Sequence, residues 1–397
     1  MKQMLKRALL LCLCAALCWS AAAAEEAAGA ANLSNTPDDE SLLDCCVLPG
    51  GQTVFAGYAE KREEQGKTSA RLLCLNTDRT VCWEYAEPYG SDAVYGKVVL
   101  TEDETLAVLR NAESGSGIRF FTADGKPAGN ELPLPSAGGE MVYELTSFGV
   151  IRGTRGSEGE ADRAEMTDWD GNVLFEIGEP ESMWAGTGPL AEGDGLVLYG
   201  QEAGRPSEAA AKIMKIDLRG CTVWETILPF LSDRRESTGL ASCIRTGDGG
   251  YLAVLWDFTD SSGEGVPEGN RALVKLDAGG RVLWMNRSGS DLWCLAEYNG
   301  KYAAYDRAED PEDGLPVLRY LWLDPDGNEL GQTELRIREE DIPRYTDRGQ
   351  MSVSVEQMIP MKDGLWQHLC FLGPDDPGSG EPAWVGKDDV LVRVPEP

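Results

Sequence analysis

One short sequence unit repeats along the chain, and this repeat limits the possible folds more than any other feature. In its clearest copies, which begin at Lys212 and Ala272, a short apolar run leads to Asp, two further residues, Gly and a second run that contains Trp. The copies recur at intervals of about 46 to 60 residues, a spacing typical of propellers and solenoids. The residues that align at the turn are Asn76, Thr122, Asp168, Asp217, Asp277 and Asp324.

Each copy predicts two strands around a tight turn, because Asp can accept hydrogen bonds from turn amides and Gly tolerates left-handed backbone. A second hairpin precedes each copy, as in the segments on either side of the turn at Gly247. Apolar positions alternate or run on for only a few residues between turns, which excludes helical repeats. The repeat therefore predicts an all-β protein, a seven-bladed β-propeller of four-stranded antiparallel blades. Six blades plus an irregular cap is the alternative.

The last unit of the predicted ring is incomplete, because it ends after its third strand at Val394. A closed ring has to cover the open edge of that sheet. We expect the segment Ser34–Leu43 to supply the missing outer strand. The predicted units begin near Cys45, Val94, Met141, Trp184, Leu240, Leu292 and Val353.

The N-terminus has the pattern of a bacterial secretory signal peptide, with a basic start, a short apolar stretch and small residues up to Ala24. We therefore predict a signal peptide over residues 1–24, with a retained anchor as the alternative. Residues 25–40 are Ala-rich and then polar, which predicts a disordered spacer. The propeller is expected to span 41–397 in a secreted, extracytoplasmic protein with no membrane span after cleavage.

The charge of the chain argues against two classes of partner. Its 67 acidic residues outnumber 36 Lys and Arg, for a net charge of −31. Such a surface repels nucleic acids and anionic membranes. The chain has a single histidine, His368, and so lacks the histidines needed for a multi-His metal site or for an acid and base formed by two imidazoles. We predict no catalytic residues and no metal site, and we expect His368 to be a structural hydrogen-bonding residue.

The segments Lys215–Trp224 and Lys275–Trp284 resemble the repeat of the quinoprotein-alcohol-dehydrogenase-like (PQQ-like repeat) superfamily of bacterial β-propellers. The resemblance implies the fold and not an activity. Enzymes of that superfamily hold pyrroloquinoline quinone beside a vicinal disulfide, with calcium nearby. Cys45 and Cys46 are adjacent here, but they stand at the start of the first blade and no cofactor motif accompanies them. We therefore predict no cofactor.

Long connections rich in Gly, Pro and acidic residues follow the second strand of most blades, for example at 259–270. Because these connections emerge on one face of a propeller, we predict a binding rim there. The expected function is a secreted, non-catalytic, monomeric module or scaffold that binds a protein or an extracellular or cell-wall glycan. The alternative is a propeller enzyme, either quinone-dependent or a polysaccharide lyase or hydrolase. The predicted rim residues are Trp256, Asp257, Tyr305, Asp306 and Arg307.

Cysteines and tryptophans complete the set of candidate residues. Cys74 and Cys82 flank the first turn symmetrically and are predicted to form a disulfide across the hairpin, with two free thiols as the alternative. The tryptophans that recur once per blade, such as Trp224 and Trp284, are expected to fill the space between neighbouring sheets. The acidic turns at Asp168 and Asp324 have Gly at the fourth position, which favours a hairpin turn over a calcium loop.

Overall fold

In the computed structural model, every regular element of the described residues is a β-strand. Most of these strands are rich in β-branched, aromatic and aliphatic residues, which suit a pleated sheet. The structure describes residues 31–33, 38–61, 67–134, 141–154, 163–177, 190–201, 210–229, 231, 238–257, 271–288, 292, 294–309, 316–337, 352–374 and 384–397.

The strands form seven four-stranded antiparallel sheets, which are the blades of a seven-bladed β-propeller. The predicted fold and the count of seven blades are confirmed. Blades 1 to 4 contain β2 (Asp39–Val47), β3 (Thr53–Glu60), β4 (Thr68–Leu75), β5 (Val81–Ala86); β6 (Ala93–Leu100), β7 (Leu106–Ala112), β8 (Gly115–Phe121), β9 (Pro127–Pro133); β10 (Met141–Thr146), β11 (Gly149–Thr154), β12 (Arg163–Asp168), β13 (Val173–Ile177); and β14 (Leu190–Glu192), β15 (Gly195–Gln201), β16 (Ala211–Asp217), β17 (Thr222–Ile227). Blades 5 to 7 contain β18 (Thr238–Arg245), β19 (Tyr251–Asp257), β20 (Arg271–Leu276), β21 (Val282–Ser288); β22 (Leu295–Tyr298), β23 (Lys301–Glu309), β24 (Pro316–Leu323), β25 (Glu329–Arg336); and β26 (Ser352–Met361), β27 (Gly364–Pro374), β28 (Trp384–Arg393) with β1 (Ala31–Asn32).

Within a blade, the first strand lies nearest the centre of the ring and the fourth strand lies on its outside. The first strands of neighbouring blades, such as β2 and β6, contact each other, whereas fourth strands such as β5 and β17 alternate between exposed and half-buried residues. The turns that join first to second and third to fourth strands therefore share one face, which we call the turn face. The remaining connections share the opposite face, which we call the connection face.

In the described part of the chain, the buried hydrophobic side chains form seven clusters, one at each interface between neighbouring blades. The cluster between blades 4 and 5, for example, joins Val197 and Ile213 to Leu255 and Val274. The cluster between blades 7 and 1 joins Trp366 and its neighbours to Phe55. Each buried aliphatic or aromatic side chain contributes about 1.5–3 kcal/mol relative to an exposed one. Each cluster takes its residues from two blades, so a single blade would leave these side chains exposed.

The repeated tryptophans lie on the turn glycines of the following blade. An ideal Cβ built on Gly280 of blade 5 would lie 2.4 Å from the Trp224 ring of blade 4, and one on Gly125 would lie 2.5 Å from Trp83. The indole nitrogen of Trp83 also donates a hydrogen bond of 3.0 Å to the carbonyl of Ala123 in the next blade. The tryptophans are therefore packing residues between sheets, as predicted, and the glycine is needed for close approach as well as for its positive φ.

The ring closes through the N-terminal segment, although not with the residues we expected. Strand β1 pairs with β28, with Ala31 opposite Leu391, and supplies the fourth strand of blade 7. The predicted donor Ser34–Leu43 is wrong, because its second half belongs to β2, the innermost strand of blade 1. Because β2 begins with acidic residues, its first residues were assigned to the predicted spacer. Asp39 and Glu40 are nevertheless buried, and Glu40 forms an ion pair with the buried Arg71.

These strands also correct two predicted boundaries. Ala31–Asn32 and Asp39–Glu40, which lie within the predicted spacer 25–40, are strand residues, and the first blade begins at Asp39 rather than near Cys45. The predicted signal peptide, residues 1–24, lies outside the described residues.

We predict that Gly280→Ala destabilises the protein much more than Gly249→Ala. Both glycines occupy turns of blade 5 with φ near 80°, so the cost of a left-handed alanine, about 1–2 kcal/mol, is common to both. Only at Gly280 does the added methyl group meet an indole ring, and overpacking of that kind costs about 1–3 kcal/mol more. Urea unfolding of the two variants measures the difference. Equal losses would show that the indole contact does not constrain the turn.

Candidate functional site

Asp389 of blade 7 joins the two ends of the ring. Its main-chain carbonyl accepts a hydrogen bond of 2.9 Å from the Leu33 amide, and its Oδ2 accepts one of 2.8 Å from the Leu42 amide. Its Oδ1 lies within hydrogen-bond distance, 2.8 Å, of Nε2 of His368. Both side chains are buried, and the imidazole packs edge-on against Phe55 of blade 1. His368 is thus a structural residue at the closure, as predicted.

A buried carboxylate also links blades 1 and 2. Glu87 accepts two hydrogen bonds from Arg110, at 2.9 and 3.0 Å, one of 2.6 Å from Arg119 and one of 2.9 Å from the Tyr95 hydroxyl. Burial alone would raise the pKa of Glu87, but the hydrogen bonds from Arg110 and Tyr95 and the nearby guanidinium charges hold it below its usual value. A carboxylate held by this many donors is an inter-blade clamp rather than a reactive acid.

Two lysines of the repeat hold the first turn of their own blades. The fully buried Lys275 donates hydrogen bonds of 2.9 Å to Thr246 Oγ1 and to Asp248 Oδ1. Lys215 occupies the same place in blade 4 and lies 2.6 Å from Glu192. The pKa of Asp248, which burial would raise, is lowered to about 2 by hydrogen bonds from Thr246 and Lys275. These lysines are therefore structural cations that fix turns on the turn face.

Three charged residues form a row across the innermost strands of the first three blades. Asp44 of β2 accepts a hydrogen bond of 2.9 Å from the Val98 amide of β6, and Lys97 of β6 lies 3.4 Å from Glu144 of β10. Burial raises the pKa of Asp44 to about 6 against the opposing effect of Lys97. Burial likewise raises the pKa of Glu144. This row was missed at the sequence level, although each residue is the sole charge in an otherwise apolar stretch of its strand.

The predicted rim residues are not equivalent in the structure. Tyr305 is 4% exposed, packs against Tyr320 and donates a hydrogen bond of 3.5 Å to the carbonyl of Val355, so it belongs to the core between blades 6 and 7 and not to a rim. The ring of Trp256 is half-buried and lies 5.3 Å from the Arg271 guanidinium. Asp306 is half-buried and Arg307 is exposed. The side chain of Asp257 lies outside the described part of the chain.

The strand bounds show that connection lengths differ between the two faces. On the connection face, the residues between second and third strands range from 113–114 in blade 2 to 258–270 in blade 5. On the turn face, the turns stay short, as at 299–300 or 48–52. The predicted one-sided growth of the connections is confirmed in length, while most of the residues within them lie outside the described ranges.

The turn face carries an open pocket with a volume of about 470 Å³. It lies where the first strands of blades 5, 6 and 7 end, beside the turn at Asn299 and Gly300. Its residues come from three blades and share no motif, so the sequence carries no signal for it. Ile244, Leu295, Met358 and Pro360 give it apolar walls, and Arg245 and Glu297 give it charge.

Within the described residues, no group of three or more His, Cys, Asp or Glu side chains is arranged to hold a metal ion. In the same part of the chain, no helix is long and apolar enough to cross a membrane.

Cys74 and Cys82 lie on neighbouring strands of blade 1 with free thiols. A β-bulge places Cys74 opposite Trp83 instead of Cys82, so the symmetric register we expected is absent. The two thiols still interact: burial first, and then the neighbouring Cys82, raise the pKa of Cys74 to about 12. Their disulfide therefore remains a prediction.

We predict that Cys74 and Cys82 become linked when the folded protein is exposed to oxidised glutathione, because the bulge brings adjacent thiols together. Alkylation of the denatured protein without reductant, followed by peptide mass spectrometry, would then find the two peptides joined. Cys243, which is buried in blade 5, serves as the control and should be alkylated. Alkylation of both Cys74 and Cys82 would contradict the prediction.

We predict that Asp44→Asn stabilises the protein above pH 6 and has little effect below pH 4. The folded state raises the pKa of Asp44 from 3.8 to about 6, so folding favours the protonated form, and ionisation costs stability as the pH rises from about 4 to 6. Asparagine imitates the protonated form. Because Asp44 is only half-buried, we expect a gain of about 1–2 kcal/mol at pH 7.5. Denaturant unfolding at both pH values gives the difference, and a gain of equal size at low pH would be inconsistent with it.

Comparison with known proteins shows the fold and leaves the family open. No family model matches the sequence, and no curated protein matches it. Solved structures do match. Drosophila Semaphorin 1a, extracellular domains 1-2, has a TM-score of 0.50 and 8% identity over 92% of this chain and 88% of its own. The β-propeller domain of the Trilobed protease from Pyrococcus furiosus has a TM-score of 0.49 and 9% identity over 89% of this chain and 93% of its own. BamB from Moraxella catarrhalis has a TM-score of 0.39 and 13% identity over 89% of this chain and 99% of its own. At these identities the likeness is one of fold alone, that of a β-propeller.

Proposed function

We propose that this chain is a secreted, non-catalytic β-propeller that binds a protein or an extracellular glycan through its connection face. One observation carries the proposal: the connections lengthen on one face only, while the turns of the opposite face stay short. A rigid ring that lengthens its connections on one side is the usual arrangement of a scaffold that presents a binding surface. The signal-like N-terminus supports export. We also propose that the repeats of this chain are related to PQQ-like repeats.

The charged groups described above support a binding role over a catalytic one. Glu87, Lys275 and Asp389 are each held by several partners within the ring. A general acid or base needs instead a pKa poised near the working pH and access to substrate. Asp44 has such a pKa, but its Oδ2 is already bound to the Val98 amide. These groups are thus used in holding the blades together.

We predict that shortening individual connections on the connection face weakens binding. Blade 2 supplies the template, since only residues 113–114 join its second and third strands. Each long connection, such as 258–270, is replaced by this short one, and binding of the variants to purified cell-wall glycan and to an identified envelope protein is measured. At least one replacement should reduce binding about tenfold or more, a loss of about 1.4 kcal/mol.

The matched control alters a turn on the opposite face without removing a buried side chain, by replacing the exposed residues 102–104 of blade 2 with the sequence of residues 123–125. This control should keep full binding. The proposal fails if every connection variant binds as the parent does. It also fails if the parent protein turns over a glycan in the same panel, which would favour an enzyme.

A further inference from the structure

The pocket on the turn face has the composition of a site for one long side chain. Ile244, Leu295, Met358 and Pro360 supply apolar walls from the innermost strands of three blades. Leu295 and Met358 are buried in the inter-blade cores on either side, so these walls are fixed by the packing of the ring. At about 470 Å³, the pocket lies in the size range of small-ligand sites.

The two charged residues of the pocket differ in how their charges are matched. Arg245 Nε lies 3.2 Å from Glu192 Oε1, and this buried carboxylate also binds Lys215 and the Tyr251 hydroxyl. Glu297 Oε2 accepts a hydrogen bond of 2.6 Å from the Gly247 amide, which carries no charge. In the described part of the chain, Arg245 forms an ion pair with a carboxylate, whereas no Lys or Arg forms an ion pair with Glu297.

We propose that this pocket binds a lysine side chain presented by a partner protein. The aliphatic stem would lie against the apolar walls, and the ammonium group would pair with Glu297, whose negative charge is unmatched. Lysine is suited to such a site because its long apolar stem packs while its charged head meets a carboxylate. The pocket also has room for the flanking main chain, and the net charge of −31 favours the approach of basic partners. This site lies on the face opposite the proposed binding surface and does not depend on that function.

The test uses the methyl group of Met358 as a reporter inside the pocket. The protein, with ¹³C-methyl methionine, is titrated with N-acetyl-lysine methylamide while the Met358 resonance is followed. N-acetyl-norleucine methylamide has the same stem without the ammonium group and is the matched probe. We expect saturable shifts with the lysine probe and a dissociation constant about five times lower than that of the norleucine probe, as for a favourable partly exposed ion pair.

Two variants assign the interaction to Glu297. Glu297→Gln keeps an oxygen that can accept the Gly247 hydrogen bond but removes the charge, so the preference for lysine should disappear while the melting temperature is unchanged. Glu329→Gln removes an equal charge from an exposed position on β25 and should leave the preference intact. Equal affinity for both probes, or a preference that survives Glu297→Gln, would overturn the proposal. Loss in both variants would show a general charge effect and would also overturn it.

Discussion

The structure depends on the contact between an aromatic ring on the outer strand of one blade and a turn glycine of the next. Trp224 on Gly280 and Trp284 on Gly327 show its geometry: the ring lies where a Cβ would have to be. Trp284 Nε1 also donates a hydrogen bond of 2.9 Å to the Pro325 carbonyl. The contact thus combines aromatic burial with a directional bond, which fixes the distance and the tilt between neighbouring sheets. Among the described residues, an aromatic ring meets the turn glycine in this way at four interfaces, where Trp83, Phe175, Trp224 and Trp284 lie on Gly125, Gly220, Gly280 and Gly327.

At the closure, polar contacts replace this repeated contact. On the outer strand of blade 6, Gly331 packs near Pro397, and the outer strand of blade 7 is only Ala31–Asn32. The buried Asp389 receives hydrogen bonds there from three parts of the chain. An apolar interface tolerates small shifts, whereas a buried carboxylate requires each donor in place, since an unsatisfied buried charge costs several kcal/mol. We infer that Asp389 selects one register for docking of the N-terminal segment.

The sequence predicted what the repeat encodes and missed what individual strands encode. Strand number, turn chemistry and the packing role of the tryptophans follow from residues that recur in every blade. The N-terminal strands did not, because Glu40 looks solvated until Arg71, far along the chain, provides a buried partner. Tyr305 was misplaced because the sequence does not show which face of a propeller strand meets the neighbouring blade. The bulge beside Cys74 shifted the expected pairing by one residue. A register shift recurs between the third and fourth strands of blades 2 to 6, so this bulge is a backbone feature of the repeat that the residue pattern alone did not show.

Nearest-neighbour packing explains why the two faces can differ without disturbing the core. In blade 5, β19 and β20 keep an unbroken register from Tyr251 opposite Leu276 to Trp256 opposite Arg271, although 258–270 lie between them. In blade 2, only residues 113–114 separate the second and third strands, and these strands also pair in an unbroken register. The pairing of the second and third strands within a blade is therefore kept whether their connection is short or long. The connection face is free to vary, while the turn face is fixed by Lys275, Lys215 and the turn glycines. A pocket built on that fixed face, like the one beside Glu297, has walls defined by the ring itself.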